Sequence, residues 1–313
     1  MAYKKGLILV FRLESLNDFK DIARRVYKLD PSIKVIGFAN RIDPKLIPSG
    51  FFNLPHLVIY LCNPPPDDYA HSSPKLAVRS RDKIEEYEHF KKHNIPCLPI
   101  ECFEWGMTLD PLVYGDWVVL KPQTIQSTGQ DVNMVPTKHI PELKLSDFPK
   151  DHLIHKDGYY VQKFLRTGER PAHYRVCVFL DQVIYSRKNT LKHSIPSEEI
   201  RLEELLRVSV ATNNRKARDI ELIIDQKVNA LALKTALCFP ENPLFGIDIL
   251  QDEASSDLYV LELNSGGNVW HFSSIQGADG REDVGGRSAL LRQYNAWDRS
   301  AEALVLKVNT LAR

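Results

Sequence analysis

Two short apolar segments near the end of the chain constrain its fold most strongly. They span residues 245–250 and 258–264, and the polar residues between them predict a β-hairpin. Residues two apart in a strand project from the same face, so Glu262 and Asn264 are expected on one side of the second strand. Asp248, on the partner strand, can reach the same place. Two carboxylates and one amide therefore converge at one end of the predicted hairpin.

These three side chains are candidate magnesium ligands. Hard oxygen donors suit Mg2+, which proteins usually hold through a few carboxylates together with nucleotide phosphates. The carboxylates interrupt otherwise apolar strands, and Asn264 opens the unusual loop SGGN at residues 265–268, a combination typical of a site. The alternative is that Asp248 and Glu262 face solvent and Asn264 is an ordinary turn residue.

The segments GIDIL and YVLELN resemble the metal-binding end of the ATP-grasp superfamily, in particular its RimK-type and glutathione-synthetase-type ligases. The resemblance implies a mixed α/β (α+β) ATP-grasp fold preceded by a small N-terminal domain. The implied divisions are an N-terminal domain, two ATP-grasp subdomains of which the second carries the metal hairpin, and a C-terminal helix: residues 1–78, 79–165, 166–285 and 286–313.

The N-terminal residues by themselves predict a small open α/β sheet. Residues 6–11 (GLILVF) form an apolar run of the kind that a buried parallel strand needs. A helix pattern and two further strands, at 33–38 and 56–62, follow, and this alternation predicts a parallel sheet. No GxGxxG follows the first strand, so a dinucleotide site is not indicated there. The proline-rich residues 64–68 predict a loop, and we place a boundary near residue 78.

Two lysines are candidate phosphate ligands. Asp82 begins a capping-box pattern, and the resemblance implies that Lys83, in the first turn of that helix, faces phosphate; a solvated lysine is the alternative. Lys121 lies near the end of an apolar strand at 117–122. An unpaired buried charge is costly, so this ammonium group is expected to meet an anion, unless it snorkels to solvent. The following loop, residues 123–131, resembles the family's cover over the phosphates.

Residues 159–165 (YYVQKFL) resemble the hinge that holds adenine in this family. The resemblance implies that backbone groups of Lys163 and Leu165 bind the purine edge. Many relatives have glutamate where this chain has Gln162, which is a candidate for a side-chain contact with the nucleotide. Glu169 is a candidate for the ribose hydroxyls, and a solvated loop acid is the alternative.

A second hairpin carries two arginines. Residues 172–179 and 183–188 predict paired strands that bring Arg175 and Arg187 together. A guanidinium fork suits both phosphate and carboxylate oxygens. The resemblance implies that such arginines face the transferred phosphoryl group or a substrate carboxylate, which makes both candidate catalytic residues. A solvated strand end is the alternative for Arg187.

The remaining segments carry weaker signals. Asn268, Trp270 and His271 follow two glycines that allow close approach of the backbone to a ligand, so they are candidates for recognition of the acceptor substrate; a structural role is the alternative for His271. Apolar residues recur at helical spacing over 220–231, which predicts a scaffold helix. A longer apolar stripe over 291–311 predicts one C-terminal helix that packs in the core or against a second subunit.

Composition argues against several classes of protein. Lysine and arginine number 41 against 40 acidic residues, so there is no basic excess to attract nucleic acid. Five scattered cysteines without a CxxC spacing support neither a zinc site nor a disulfide framework. The first apolar run is too short for a signal peptide or a membrane span. We expect a cytoplasmic protein without nucleic-acid or membrane partners, with a homodimer through the C-terminal helix left open.

The resemblance implies an ATP- and Mg2+-dependent carboxylate–amine ligase. Such an enzyme joins a small-molecule or peptide acid to an amine through an acyl phosphate. Phosphoryl transfer needs positioning and neutralisation of charge, and no P-loop or protein-kinase motif is present to suggest another route. Two alternatives stay open: a small-molecule kinase that phosphorylates a hydroxyl, and a nucleotide-binding regulatory module without turnover.

Overall fold

A computed structural model of the chain describes residues 2–65, 73–123, 129–195, 200–211 and 215–312, without the side chains of Arg215 and Asp279. The described strands form three sheets, of four, four and five strands in chain order. The first sheet lies within residues 1–78, the second within 79–165 and the third within 166–285. Each sheet therefore lies within one of the ranges given above, and the division into domains stays a prediction.

The first sheet is parallel and open, as the sequence predicts. Its strands and the helix that follows the first of them are β1 (Lys5–Phe11), α1 (Leu16–Leu29), β2 (Ile33–Ala39), β3 (His56–Tyr60) and β4 (Lys75–Ala77). The strand order is β2-β1-β3-β4. The apolar run of β1 is buried because Leu7, Leu9 and Phe11 pack in one core with Phe19 and Ile22 of α1.

The second sheet is antiparallel and follows helix α2 (Lys83–Lys92). Asp82 caps this helix as predicted, since its carboxylate accepts the backbone N–H of Ile84 at 2.8 Å. The remaining elements of this part are β5 (Ile100–Cys102), α3 (Pro111–Tyr114), β6 (Trp117–Pro122), β7 (Asn133–Pro136) and β8 (Tyr159–Lys163). The order β5-β8-β6-β7 places β8 beside β6, with Lys121 opposite Tyr160.

The third sheet is antiparallel, and its elements are β9 (Ala172–Phe179), β10 (Gln182–Leu191), α4 (Leu202–Leu205), β11 (Arg218–Leu222), α5 (Gln226–Leu237), β12 (Leu244–Gln251) and β13 (Leu258–Ser265). The strand order is β11-β10-β9-β12-β13. The predicted helix over 220–231 is wrong in its first part. Ile220 is instead a buried strand residue opposite Asn189. The helix begins only after Asp225, whose carboxylate accepts the N–H of Lys227 at 2.8 Å.

The chain ends in α6 (Ala278–Asp283), α7 (Arg287–Tyr294) and α8 (Ala296–Leu311). The predicted single helix is wrong, because Asn295 adopts a left-handed φ of 52° that separates α7 from α8. Trp297, Ala301 and Leu304 of the apolar stripe are buried in the same core as α1. This part of the stripe packs in the core, and a homodimer stays a prediction. Within the described residues, no helix combines the length and apolarity needed to cross a membrane.

Candidate active site

The late hairpin contains a β-bulge next to its polar residues. β12 and β13 pair with Asp248 opposite Glu262 and with Gly246 opposite Asn264. The register shifts just beyond Asp248, which leaves Leu261 as the extra residue of β13. Bulges are frequent beside active sites, where they change the direction of a neighbouring side chain. Here the bulge directly precedes Glu262.

The structure brings the three predicted metal ligands together. The side-chain amide of Asn264 donates to Glu262 at 3.0 Å and to Asp248 at 3.2 Å. No group of three His, Cys, Asp or Glu side chains in the described ranges is arranged to hold a metal ion. A cation here would therefore need the amide oxygen and ligand phosphates beside the two carboxylates, a donor set that fits Mg2+. Rotation of the Asn264 amide exchanges its nitrogen for its oxygen.

Helix α2 places Lys83 against this hairpin. Its ammonium nitrogen lies 3.2 Å from a carboxylate oxygen of Glu86 and 3.5 Å from one of Glu262. Burial lowers the pKa of Lys83, but these two carboxylates outweigh it and the pKa is raised. Glu86, which was not among the predicted site residues, is buried and also accepts the backbone N–H of Leu263 at 3.4 Å. Its spacing of three residues from Lys83 on one helix face was the available signal.

Lys121 belongs to the second sheet and lies close to Lys83 and Glu86, since its partner Gln162 lines one pocket with them. Its ammonium donates to the side-chain oxygen of Gln162 at 2.8 Å. Burial lowers the pKa of Lys121 to about 8, against the opposing charge of Glu262. Burial raises the pKa of Glu262 in turn, but Lys83 and Lys121 outweigh it and hold that pKa well below its ordinary value. The strand lysine and the hairpin carboxylate therefore belong to one cluster.

The predicted adenine hinge is available only in part. Gln162 is buried and binds Lys121, so its side-chain oxygen faces the lysine. The N–H of Lys163 donates to the carbonyl of Pro99 at 2.9 Å, which leaves the carbonyl of Lys163 as its backbone group for a purine edge. A cavity of about 170 Å³ lies at this end of β8, lined by Tyr114, Gly115, Asp116, Trp117, Met134, Phe164 and Arg166.

The other parts of the predicted nucleotide site are Leu165, Glu169 and the phosphate cover. Leu165 is half-buried and directly follows a residue that lines the cavity. Glu169 is exposed, and within the described residues its side chain makes no hydrogen bond or ion pair, while its carbonyl accepts the N–H of Ile195 at 3.1 Å. The predicted phosphate cover at 123–131 lies largely outside the described residues, since 124–128 are not among them.

The two arginines lie in one row across the third sheet. Arg175 of β9 is opposite Asp248 of β12 on one side and opposite Arg187 of β10 on the other. Two guanidinium nitrogens of Arg175 donate to the two oxygens of Asp248. Arg187 is 5% exposed, and β10 continues past it to Leu191. The alternative of a solvated strand end for Arg187 is therefore wrong.

Trp270 and His271, in the loop after the hairpin, have different environments. Trp270 is 1% exposed, stacks on Phe19 and donates its indole N–H to Asp18 at 2.9 Å. The expectation that Trp270 recognises substrate is therefore wrong, because its ring lies in the core against α1. His271 stacks on Tyr185 with ring centroids 5.6 Å apart. Burial places the pKa of His271 well below its ordinary value, so the ring is neutral.

Neither a family model nor a curated protein sequence matches this chain. Among solved structures, the ATP-grasp ligase PsnB complexed with precursor peptide PsnA2 and AMPPNP aligns over 98% of this chain and 99% of its own, with a TM-score of 0.52 and 13% identity. PsnB complexed with minimal precursor, Mg and ADP aligns over 96% and 97%, with a TM-score of 0.50 and 13% identity. Identities this low establish the fold alone. This chain has the ATP-grasp fold.

Proposed function

We propose that this protein is an ADP-forming carboxylate–amine ligase that uses ATP and Mg2+. The observation that carries the proposal is that two lysines meet beside the late hairpin. Lys83 of α2 lies 3.5 Å from the carboxylate of Glu262, and Lys121 of the second sheet binds Gln162, which lines one pocket with Lys83. Cations from two elements facing a carboxylate platform suit a polyphosphate held between them. The fold shared with PsnB, an ATP-grasp ligase, supports the same class of reaction.

Asp248, Glu262 and Asn264 are the residues that would hold the divalent cation. When bound, Mg2+ neutralises charge on the phosphoryl group that is transferred. The chain already pairs both carboxylates with its own cations, Asp248 with Arg175 and Glu262 with Lys83. These pairs hold the carboxylates in place, and Lys83 together with Lys121 keeps the pKa of Glu262 well below its ordinary value.

The nucleotide would lie along β6. Trp117 lines the cavity at one end of this strand, and Lys121 lies four residues further along on the same face. Four residues of strand span about 13 Å, which separates a base in the cavity from phosphates at the ammonium group. Lys83 would meet the same phosphates from α2, exchanging its carboxylate partners for phosphate oxygens.

The acid substrate would bind beside Arg175. Its carboxylate oxygen attacks the γ-phosphorus, the bond from that phosphorus to the bridging oxygen of ADP breaks, and an acyl phosphate results. The amine then attacks the acyl carbon, phosphate leaves, and the amine loses a proton as the amide forms. Arg175 would position the reacting oxygens, since a guanidinium fork binds carboxylate and phosphate alike. PsnB was solved with a precursor peptide, so both peptide and small-molecule acids belong in the test.

A hydroxylamine trap tests this proposal. The protein is supplied with ATP, Mg2+, hydroxylamine and a panel of acids, and both ADP and acyl hydroxamate are measured. We expect ADP and hydroxamate in equal amounts with at least one acid. ADP release with a stable phosphate ester and no need for an amine would instead indicate a kinase. Nucleotide binding without any ADP release would indicate a regulatory module.

A further inference from the structure

Arg187, Asn189 and His271 form a buried polar cluster on the third sheet, which we call the distal cluster. Arg187 and Asn189 lie two residues apart in β10 and share one face. Their exposed fractions are 5% and 2%, and that of His271 is 7%. His271 stacks on Tyr185, which precedes Arg187 by two residues on the same face. Arg187 and Asn189 thus occupy neighbouring positions along β10, and His271 packs over the same strand at Tyr185.

Each member of the distal cluster has a buried polar atom without a partner. These atoms are Nε of Arg187, Oδ1 of Asn189 and Nδ1 of His271. Across the described ranges, no carboxylate forms an ion pair with Arg187. Buried polar groups in proteins normally have hydrogen-bond partners, and an uncompensated buried charge is expensive. The cluster therefore offers one charged donor and further polar atoms that the described chain leaves unsatisfied.

The environment of Arg187 is cationic. Burial lowers the pKa of Arg187 to about 10. The charges of Arg175 and Arg218 add to this effect, and that of Asp248 opposes it. The guanidinium consequently stays protonated at neutral pH. Arg175 is already neutralised by both oxygens of Asp248, so Arg187 holds the positive charge that still needs an anion.

Helix α6 covers Arg187 at unusually short range. A Cβ on Gly280 would lie 2.6 Å from Nη1 of Arg187, a distance that real side chains do not adopt. The helix can approach the guanidinium this closely only because residue 280 has no side chain. A larger residue at position 280 would therefore displace either α6 or the guanidinium group of Arg187.

The distal cluster stands at a defined distance from the cation-binding end of the sheet. Arg187, Arg175, Asp248 and Glu262 form one row across β10, β9, β12 and β13. Neighbouring strands are about 4.8 Å apart. A group bound by Arg187 would lie one strand spacing farther from the carboxylates than a group bound by Arg175.

We propose that the distal cluster binds a second anionic group of the acid substrate, which makes that substrate a short dicarboxylate or an acid with an equivalent phosphate. The proposal rests on the ligase function above, in which the reacting carboxylate lies beside Arg175. The fork of Arg187 binds two oxygens of the second anion, and His271 and Asn189 hold polar atoms of the same group or of its immediate neighbour.

The test compares matched acids with the full chain. Succinate and glutarate are measured against butyrate and valerate, and against 3-phosphonopropionate, by hydroxamate formation with ATP and Mg2+. We expect kcat/KM to favour the dianions by at least about 100-fold, because a site built for a polar group rejects an analogue that lacks it. In Arg187→Leu the ratio should fall to within about threefold of unity. Arg292→Leu, which alters an exposed arginine of α7, should keep the wild-type ratio.

Thermal unfolding provides a readout that does not depend on turnover. Dianions should raise the melting temperature of wild type in the presence of AMPPNP and Mg2+, and should not do so for Arg187→Leu. Arg187→Lys, which keeps the charge without the fork, should fall between them. Unliganded Arg187→Leu should melt no lower than wild type; a clearly lower value would show a structural role and overturn the proposal.

The outcomes separate this proposal from the ligase function. Equal use of dianions and monoanions by wild type overturns the second anion site and leaves the ligase function standing. Arg187-dependent stabilisation by dianions without any hydroxamate supports the anion site and contradicts the ligase function. Preference for 3-phosphonopropionate over succinate assigns phosphate chemistry to the second group, and the reverse preference assigns carboxylate.

Discussion

Two cation-rich regions lie on one face of the third sheet. The cations of one region have carboxylate partners, and Arg187 in the other has none among the described residues. At the hairpin end, Arg175 is paired with Asp248, and Lys83 is paired with Glu262. At the β10 end, Arg187 is more deeply buried than Arg175 but has no carboxylate partner within the described residues. Only about one strand spacing separates the two arginines.

This difference shows which buried charges are compensated within the protein and which are not. We call the hairpin end the paired region, because its lysine and arginine side chains form ion pairs with its carboxylates. The free protein holds these charges at little cost, and a ligand that binds there must replace one partner of each pair. In the unpaired region, a charge is kept out of water without compensation, and an anion that binds there relieves that cost. Removal of one partner in the first region should therefore lower the free energy of unfolding, whereas removal of the Arg187 charge should not.

The largest effect is expected for activity when the paired region loses its shared carboxylate. Glu262→Gln should lower ATP turnover by about 10²–10³-fold, because it removes a cation ligand and the charge between Lys83 and Lys121. ADP release at saturating ATP measures this. Glu88→Gln, at an exposed position of α2, should stay within about twofold of wild type. Retention of more than about a tenth of the activity in Glu262→Gln would contradict the assignment.

Stability should separate the two regions directly. Asp248→Asn leaves the guanidinium of Arg175, whose side chain is 17% exposed, uncompensated and should cost about 3 kcal/mol in the free energy of unfolding. Asp248→Asn combined with Arg175→Met should recover at least half of that loss. Arg187→Leu removes a charge that has no partner and should cost nothing. Urea unfolding of the four proteins gives the comparison, which breaks down if Arg187→Leu loses as much as Asp248→Asn.

The pH dependence of kcat/KM and of the unfolding free energy should reflect the titration of Lys121. Because burial lowers the pKa of Lys121 to about 8, kcat/KM for ATP should be level below pH 8 and fall about tenfold per pH unit above it, as the ammonium loses its proton. The same shift should make unfolding free energy rise between pH 8 and the ordinary lysine pKa of 10.5, where the unfolded chain binds more protons. Lys121→Arg should remove both effects, and an unchanged profile in that variant would assign them to another group.

The smallest effect concerns the loop that carries His271. Asp18 of α1 is buried and accepts hydrogen bonds from Trp270 and Arg287. Asp18→Asn weakens this attachment by about 1 kcal/mol, so KM for the acid should rise severalfold while KM for ATP stays the same. Steady-state kinetics with each substrate varied in turn measures both constants. A parallel rise in both would mean that the loop supports the whole site.

The parts of the fold that were predictable from sequence are those set by local pattern. The hairpin that carries Asp248 and Glu262, the cap at Asp82 and the strand that ends with Lys121 each follow from residues that are neighbours in the chain. Periodicity failed at Ile220, where pairing with β10 makes a strand of residues that also fit a helix. It failed again at Asn295, where one left-handed residue divides a continuous apolar stripe.

The parts of the site that sequence did not predict depend on contacts between distant segments. Glu86 matters because α2 docks beside the hairpin, 177 residues away in sequence. Trp270 was predicted to contact substrate because it follows two glycines. Its ring instead packs in the core against α1, which precedes it by about 250 residues. Gly280 of α6 packs directly against the guanidinium group of Arg187. Such placements are decided by packing between elements.

The central claim is that Lys121 and the hairpin carboxylates bracket a nucleotide and its cation. Calorimetric binding of AMPPNP, with and without Mg2+, to wild type, Lys121→Met and Glu262→Gln tests this claim most directly. We predict that wild type binds more tightly with Mg2+, that Lys121→Met weakens binding in both conditions, and that Glu262→Gln removes the gain from Mg2+. Unchanged affinities in both variants would contradict the account.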